Sequence, residues 1–206
     1  MSAADFTVLG SRHRYHGWII DLRTDEVRMP DGTTAKRDVI DHPGAVAVVA
    51  IDERDRVVMV RQYRHPVRDH LLELPAGVLD LDGEPAIEAA RRELYEEAAV
   101  TASDWWVLLD LYTSPGMTNE AIRIYLATGL AEVAAEDRFE TEHEEVTMTV
   151  ERLPLDRLVQ MAMSGQLTNG PAVAGLLAAW VAAKQGWGAL RPVQADWPAR
   201  PGRVTG

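Results

Sequence analysis

The chain has 206 residues, 47% of them hydrophobic and 26% charged, with a formal net charge of −11 and no cysteine. This is the composition of a globular protein with one sizeable domain, or one domain and an appendage, and not of a disordered chain. The acidic balance argues against nonspecific nucleic-acid binding and against a polybasic membrane anchor, and the missing cysteines exclude disulfides and zinc–thiolate sites.

The N-terminus lacks a basic region followed by an apolar core, so no signal peptide is expected. The longest apolar run, Ala172–Ala183, is twelve residues and too short to span a bilayer. Together with the lack of cysteine, these features predict a cytoplasmic protein.

Residues 1–43 read as a separate antiparallel unit. Tyr15–Leu22 and Glu26–Met29 look like short strands, Pro30-Asp31-Gly32 like a turn, and Ala35–Asp41 like a third strand. A sheet this small is marginal alone and should pack on something. From the residues alone, Trp18 is a core side chain and Arg37 a solvated strand residue. The apolar run Gly44–Asp52 predicts a buried strand, followed by strands Val57–Arg64 and Leu71–Pro75, the last containing Glu73.

Further strands are predicted at Asp104–Tyr112 and Ala121–Ala127, joined by the turn-rich stretch Thr113–Glu120. An acidic, poorly patterned segment, Ala131–Glu145, reads as a mobile surface loop. A short strand at Val146–Val150 and helices at Leu155–Met163 and Asn169–Gln185 complete the domain at about residue 187. Residues 188–206 form a tail expected to be extended. The fold class is α/β: an α/β/α sandwich with a mixed sheet, carrying a small N-terminal antiparallel β-sheet.

The most informative stretch is Leu72–Val100, a strand end, a loop with Gly77 and Gly83, and a helix starting near Pro85. Glu93, Glu96 and Glu97 stand at i, i+3 and i+4, within roughly 100° of arc on one side of that helix. Ile87, Ala90, Leu94 and Ala98 form the adjoining apolar stripe, so the carboxylates sit at the edge of the buried face. Like charges so close destabilise a bare helix, and no lysine on that side relieves them. A hard divalent cation would, since Mg²⁺ is held through carboxylates, waters and substrate phosphates.

The series Gly77, Glu84, Arg92-Glu93-Leu94, Glu96-Glu97 and Val100 resembles the Nudix box, with two departures. Six residues instead of five separate Gly77 from Glu84, and Ala99 stands where the motif has glycine. Ala at a left-handed helix C-terminus costs about 1 kcal/mol if that conformation is kept. Beyond the box, Leu74-Pro75-Ala76-Gly77, Arg61-Gln62-Tyr63-Arg64, the loop Ser114–Glu120 and Leu167-Thr168-Asn169 are similar to one Nudix subgroup, the ADP-ribose pyrophosphatases. The likeness extends over residues 15–185.

That resemblance implies a domain-swapped homodimer and roles for individual residues. Glu93 and Glu97 would be the main Mg²⁺ ligands, with Glu96 close by and the Ala76 carbonyl contributing; Mn²⁺ could replace Mg²⁺. Arg92 would pair with Glu84. Arg64 would contact the diphosphate, and Trp18 and Arg37 would stack on and flank adenine across the dimer. Glu73 would either reach the nucleotide or be a rim carboxylate. Gly116, Met117 and Glu120 would line the terminal ribose. The general base would be one of Glu142, Glu144 and Glu145, with His143 a bystander.

The implied reaction is Mg²⁺-dependent hydrolysis of ADP-ribose to AMP and ribose 5-phosphate. Metal-bound water and an arginine fork suit attack on a diphosphate. Two alternatives remain: hydrolysis of another nucleoside diphosphate sugar, or a module that binds ADP-ribose without cleaving it.

Overall fold

A computed structural model of the chain describes residues 6–137 and 148–200. Its centre is β4 (Ala45–Ala50), with every residue buried. β4 pairs in parallel with β9 (Ala121–Glu132) and antiparallel with β7 (Ala76–Val78), while β8 (Val100–Tyr112) closes the order β7-β4-β9-β8. The sheet is therefore mixed. A second sheet, β10-β5-β6, comprises β10 (Thr149–Pro154), β5 (Arg56–Arg64) and β6 (Asp69–Glu73).

Alternation along β4 explains the layers, because successive strand residues face opposite sides. Ala45, Ala47 and Val49 pack in one core with residues of α2 (Leu155–Met163) and α3 (Gly170–Lys184). Val46, Val48 and Ala50 pack in the other with Ala89, Ala90, Leu94 and Ala98 of α1 (Ala86–Ala98). One helix on one face and two on the other give the α/β/α sandwich expected from the sequence. α3 opens with Asn169, whose side chain accepts from the Ala172 N–H, and with Pro171 in its first turn. Gly175 lets α3 approach closely, since a Cβ there would meet Leu74, Val49 and Ile124 at 3.0–3.2 Å.

The N-terminal sheet, order β1-β2-β3, comprises β1 (Thr7–His16), β2 (Asp21–Arg28) and β3 (Thr34–Asp41). The strand predicted at Tyr15–Leu22 is instead the end of β1, a turn and the start of β2. Gly17 makes that turn, its N–H donating to the Ile20 carbonyl at 2.9 Å. β9 runs to Glu132 and is followed by a 3₁₀ turn at Ala135–Asp137, so the front of the segment expected to be a loop is regular. The strand expected at Val146–Val150 is β10, beginning at Thr149; residues 146 and 147 lie outside the described part. β7, a three-residue strand, was not foreseen.

The tail is docked along the sheet as far as Trp197. Arg191 exchanges backbone hydrogen bonds with Val107 at 2.8 and 3.1 Å. Arg123, buried in β9, pairs with Asp110 and donates to the carbonyls of Ala195 and Asp196. Its guanidinium lies over the Trp197 ring, 4.9 Å from the centroid. A charged side chain in the buried, otherwise apolar stretch Ala121–Ala127 must be paired, and here its partners are Asp110 and the tail.

Candidate active site

α1 starts after Pro85, whose φ of −64° and ψ of 140° end the preceding loop in extended backbone. Its polar edge carries the glutamates. Glu97 is buried, and its Oε2 accepts from the Ala76 N–H at 2.9 Å, clamping the helix to β7. Gly77 is required next to it: a Cβ there would lie 2.0 Å from Glu93 Oε1. The Glu93 carboxylate thus fills the space that any other residue at 77 would take. Pairing of β7 with β4, Gly77 opposite Val46 and Ala76 opposite Ala47, sets the floor of this arrangement.

Arg92 pairs with Glu84 through both Nε and a terminal nitrogen, each at 3.1 Å. Its other terminal nitrogen donates to Glu93 at 2.7 Å and to Glu96 at 3.0 Å. The guanidinium is held charged well above its ordinary range, chiefly by the Glu84 hydrogen bonds and then by Glu93 and Glu96. The pairing with Glu84 is the one the resemblance implied; the contacts to Glu93 and Glu96, which relieve the carboxylates in place of the lysine that is missing, were not expected. One cation against Glu84, Glu93, Glu96 and Glu97 still leaves the group negative in formal charge.

Arg64 ends β5 and lies over Glu73 in β6, with Nε donating to Oε1 at 3.0 Å and Nη2 to Oε2 at 2.8 Å. Glu73 is 3% exposed, so it is not the rim carboxylate that was one of its two expected roles. Local alternation gave no signal of this burial, because in Leu72-Glu73-Leu74 it only puts the acid on the face away from the leucines; a buried acid needs a cation. In the chain the pair comes just before the Leu74-Pro75 link between β6 and β7.

The loop from Ser114 to Glu120 joins β8 to β9 at the same end of the sheet. Val78 of β7, Ala45 of β4 and Ile122 of β9 stand side by side in register. Two strand spacings, about 10 Å, therefore separate the start of β9 from the glycine loop. Gly116 has open space where a side chain would be, and Met117 is half exposed. Glu120 accepts a hydrogen bond from Thr113 and faces His42 at 3.6 Å.

This loop is bound to the N-terminal sheet. The Ile40 N–H donates to the Met117 carbonyl at 2.8 Å, the His42 N–H to Asn119 Oδ1 at 2.8 Å, and Asn119 Nδ2 to Asp41 Oδ1 at 2.9 Å. Burial pushes the His42 imidazole below its usual pKa, with Glu120 opposing more weakly. None of these ties was visible in the sequence, because the partners lie about 80 residues apart.

Trp18 is fully exposed in the β1–β2 turn and is not a core residue in this chain. Arg37 is exposed on β3, where it donates to the Lys36 carbonyl. Within one chain neither is held by the α1 cluster. Glu142, His143, Glu144 and Glu145 lie outside the described residues.

The donor set around Glu93, Glu96, Glu97 and Ala76 is oxygen only, negative in sum and partly buried, which fits a hard divalent cation. The glycine-made recess for Glu93 holds one of those donors in place. Such an arrangement is suited to positioning a cation against a phosphate, and a guanidinium fork such as that of Arg64 matches phosphate geometry.

The chain is similar to known proteins over most of its length. The NUDIX domain family model matches residues 41–166. The chain is 44% identical over 201 residues to an ADP-ribose pyrophosphatase of Mycobacterium tuberculosis (strain ATCC 25618 / H37Rv), covering 98% of this chain and 95% of that protein. It is 34% identical over 151 residues to an ADP-ribose pyrophosphatase of Bacillus subtilis (strain 168), covering 73% and 80%. Its fold is similar to a solved ADP compounds hydrolase, with a TM-score of 0.75, 20% identity, and coverage of 90% of this chain and 98% of that one. The chain belongs to the Nudix family.

Proposed function

We propose that this protein hydrolyses the diphosphate of ADP-ribose, giving AMP and ribose 5-phosphate, with Mg²⁺ as its metal. The observation that carries the reading is the seating of the α1 carboxylates on β7, Glu97 accepting from the Ala76 N–H and Glu93 filling the space a Cβ at Gly77 would take. The choice of ADP-ribose rests on the near full-length similarity to an ADP-ribose pyrophosphatase.

Glu93, Glu96, Glu97 and the Ala76 carbonyl would hold the metal. When bound, it supplies charge neutralisation on the phosphoryl oxygens and lowers the pKa of a coordinated water. Arg64, oriented by Glu73, would bind a diphosphate oxygen pair. Arg92 holds α1 against the Glu84 loop. One of Glu142, Glu144 and Glu145 would take the proton from the attacking water. Glu120, Met117 and the open backbone at Gly116 would line the sugar at the far side of the cleft.

Trp18 and Arg37 would recognise adenine from a second copy of the chain. The support for a homodimer is the apolar surface of the N-terminal unit. Phe6, Val8, Leu9, Tyr15, Trp18, Ile19 and Ile20 are exposed there, half of the fourteen exposed large hydrophobic side chains among the described residues. An apolar concentration of this kind marks an interaction surface. A cytoplasmic location belongs to the same reading and is supported by the absence of cysteine.

Phosphate-coupled turnover tests the proposal. ADP-ribose, ADP-glucose, ADP-mannose and GDP-mannose are each assayed with Mg²⁺ and with EDTA. Metal-dependent preference for ADP-ribose supports it. Preference for another sugar nucleotide keeps the box chemistry and removes the adenine assignment. Binding of ADP-ribose with no turnover would make the chain a non-catalytic module, a reading that the complete set of three box glutamates disfavours.

A further inference from the structure

A second group of metal-binding side chains lies on the N-terminal sheet, outside the machinery described above. His13 and His16 of β1 and Asp21 of β2 each offer a ligand atom, and the three atoms lie within 4.8 Å of one another. His16 Nδ1 is 2.6 Å and His13 Nε2 is 3.9 Å from the same Asp21 oxygen.

The backbone explains how residues three apart in a strand come to share a face. In a regular strand His13 and His16 would point to opposite sides. Between His13 and Tyr15 the register slips: His13 pairs with Arg23 and Tyr15 with Leu22, so Arg14 is an extra residue. This bulge restores His16 to the face of His13. His16 pairs directly with Asp21, and Asp21 shares that face with Arg23. Arg14 points the other way, its Nε donating to Thr24 at 2.8 Å. The Gly17 turn then keeps His16 and Asp21 opposed, since a Cβ at 17 would meet the Ile20 carbonyl at 2.8 Å.

We infer that His13, His16 and Asp21 form a site for a divalent transition ion of the zinc type, separate from the carboxylate cluster of α1. Two imidazoles and one carboxylate are the ligand set of many three-residue zinc sites, with water at the open position. Imidazole selects Zn²⁺, Ni²⁺ or Cu²⁺ over Mg²⁺, so the chain carries two sites of different softness. The residues are solvent-accessible, which leaves an entry path and room for the water. An ion bound there would close the base of the turn that carries Trp18.

The test uses EDTA-stripped full-length protein carrying Glu93→Gln and Glu97→Gln, to silence the α1 cluster, and Zn²⁺ as the probe. Isothermal titration is read with and without added Mg²⁺. One Zn²⁺ per chain is expected, undisturbed by millimolar-scale Mg²⁺, together with a rise in thermal midpoint on Zn²⁺ addition. His13→Gln and His16→Gln, each added to that background, should weaken Zn²⁺ by at least about tenfold, the lower bound for disturbing even an outer partner of a metal ligand. Co²⁺ substitution adds a readout: visible absorption typical of a low-coordinate nitrogen/oxygen site, lost in both variants. Zn²⁺ affinity unchanged in both histidine variants would overturn the inference, as would no Zn²⁺ binding by the parent. Circular dichroism confirms folding, and two separate single variants keep the result readable if one is unstable.

Discussion

The guanidinium of Arg64 and the carboxylate of Glu73 meet in a two-pronged contact, 3.0 and 2.8 Å, with the acid buried and the arginine partly exposed. A buried acid therefore aims an accessible cation. Glu73→Gln should leave Arg64 less ordered and raise KM for ADP-ribose several-fold, with a smaller change in kcat. Stability should fall by about 1–2 kcal/mol, the low end for a charged hydrogen-bonded pair because Arg64 is in contact with solvent. Steady-state kinetics and urea unfolding check both; an unchanged KM would remove Arg64 from substrate binding.

Glu97→Gln should abolish most turnover while the fold survives. Glu97 is buried and clamps Ala76, so the variant is conservative only because the amide oxygen can still accept the Ala76 N–H. A loss of about 3 kcal/mol or more of transition-state stabilisation, upward of a hundredfold in kcat, is expected. Single-turnover rates at saturating Mg²⁺ measure it.

Gly77→Ala separates geometry from folding. The new methyl would collide with the end of the flexible Glu93 side chain and not with backbone, so the carboxylate moves and the chain still folds. Activity should fall more than tenfold through a raised Mg²⁺ requirement, with an unfolding midpoint close to that of the parent. A Mg²⁺ titration of activity decides it.

Ala99→Gly should stabilise the protein. Ala99 ends α1 in the left-handed region, φ 51° and ψ 41°, where a Cβ is strained. Relief of about 1 kcal/mol is expected, offset in part by the freedom glycine gains when unfolded. The urea midpoint should rise with the slope unchanged.

His42 should make stability depend on pH. Its pKa is lowered by burial in the folded state, so the unfolded chain binds a proton more readily. Stability is then full above the unfolded value of about 6.5 and is lost as pH falls through the lower folded value. Urea midpoints at pH 7.5, 6.5 and 5.5 should decline for the parent and decline less for His42→Gln.

The α/β/α layers, the place of α1 and the row of Glu93, Glu96 and Glu97 were legible in the chain, because they follow from local periodicity and from a motif that is contiguous in it. The left-handed turn at Ala99 was legible for the same reason. Tertiary packing alone settled which polar groups meet across segments: Arg64 on Glu73, Asn119 on Asp41 and His42, and Arg123 on the tail. Those pairings depend on strand register and on which element lands beside which, and nothing in the spacing of one segment encodes its distance from another. The bulge at Arg14 shows the same limit at short range. A single extra residue moves His16 to the face of His13, and strict alternation read from sequence would have parted them.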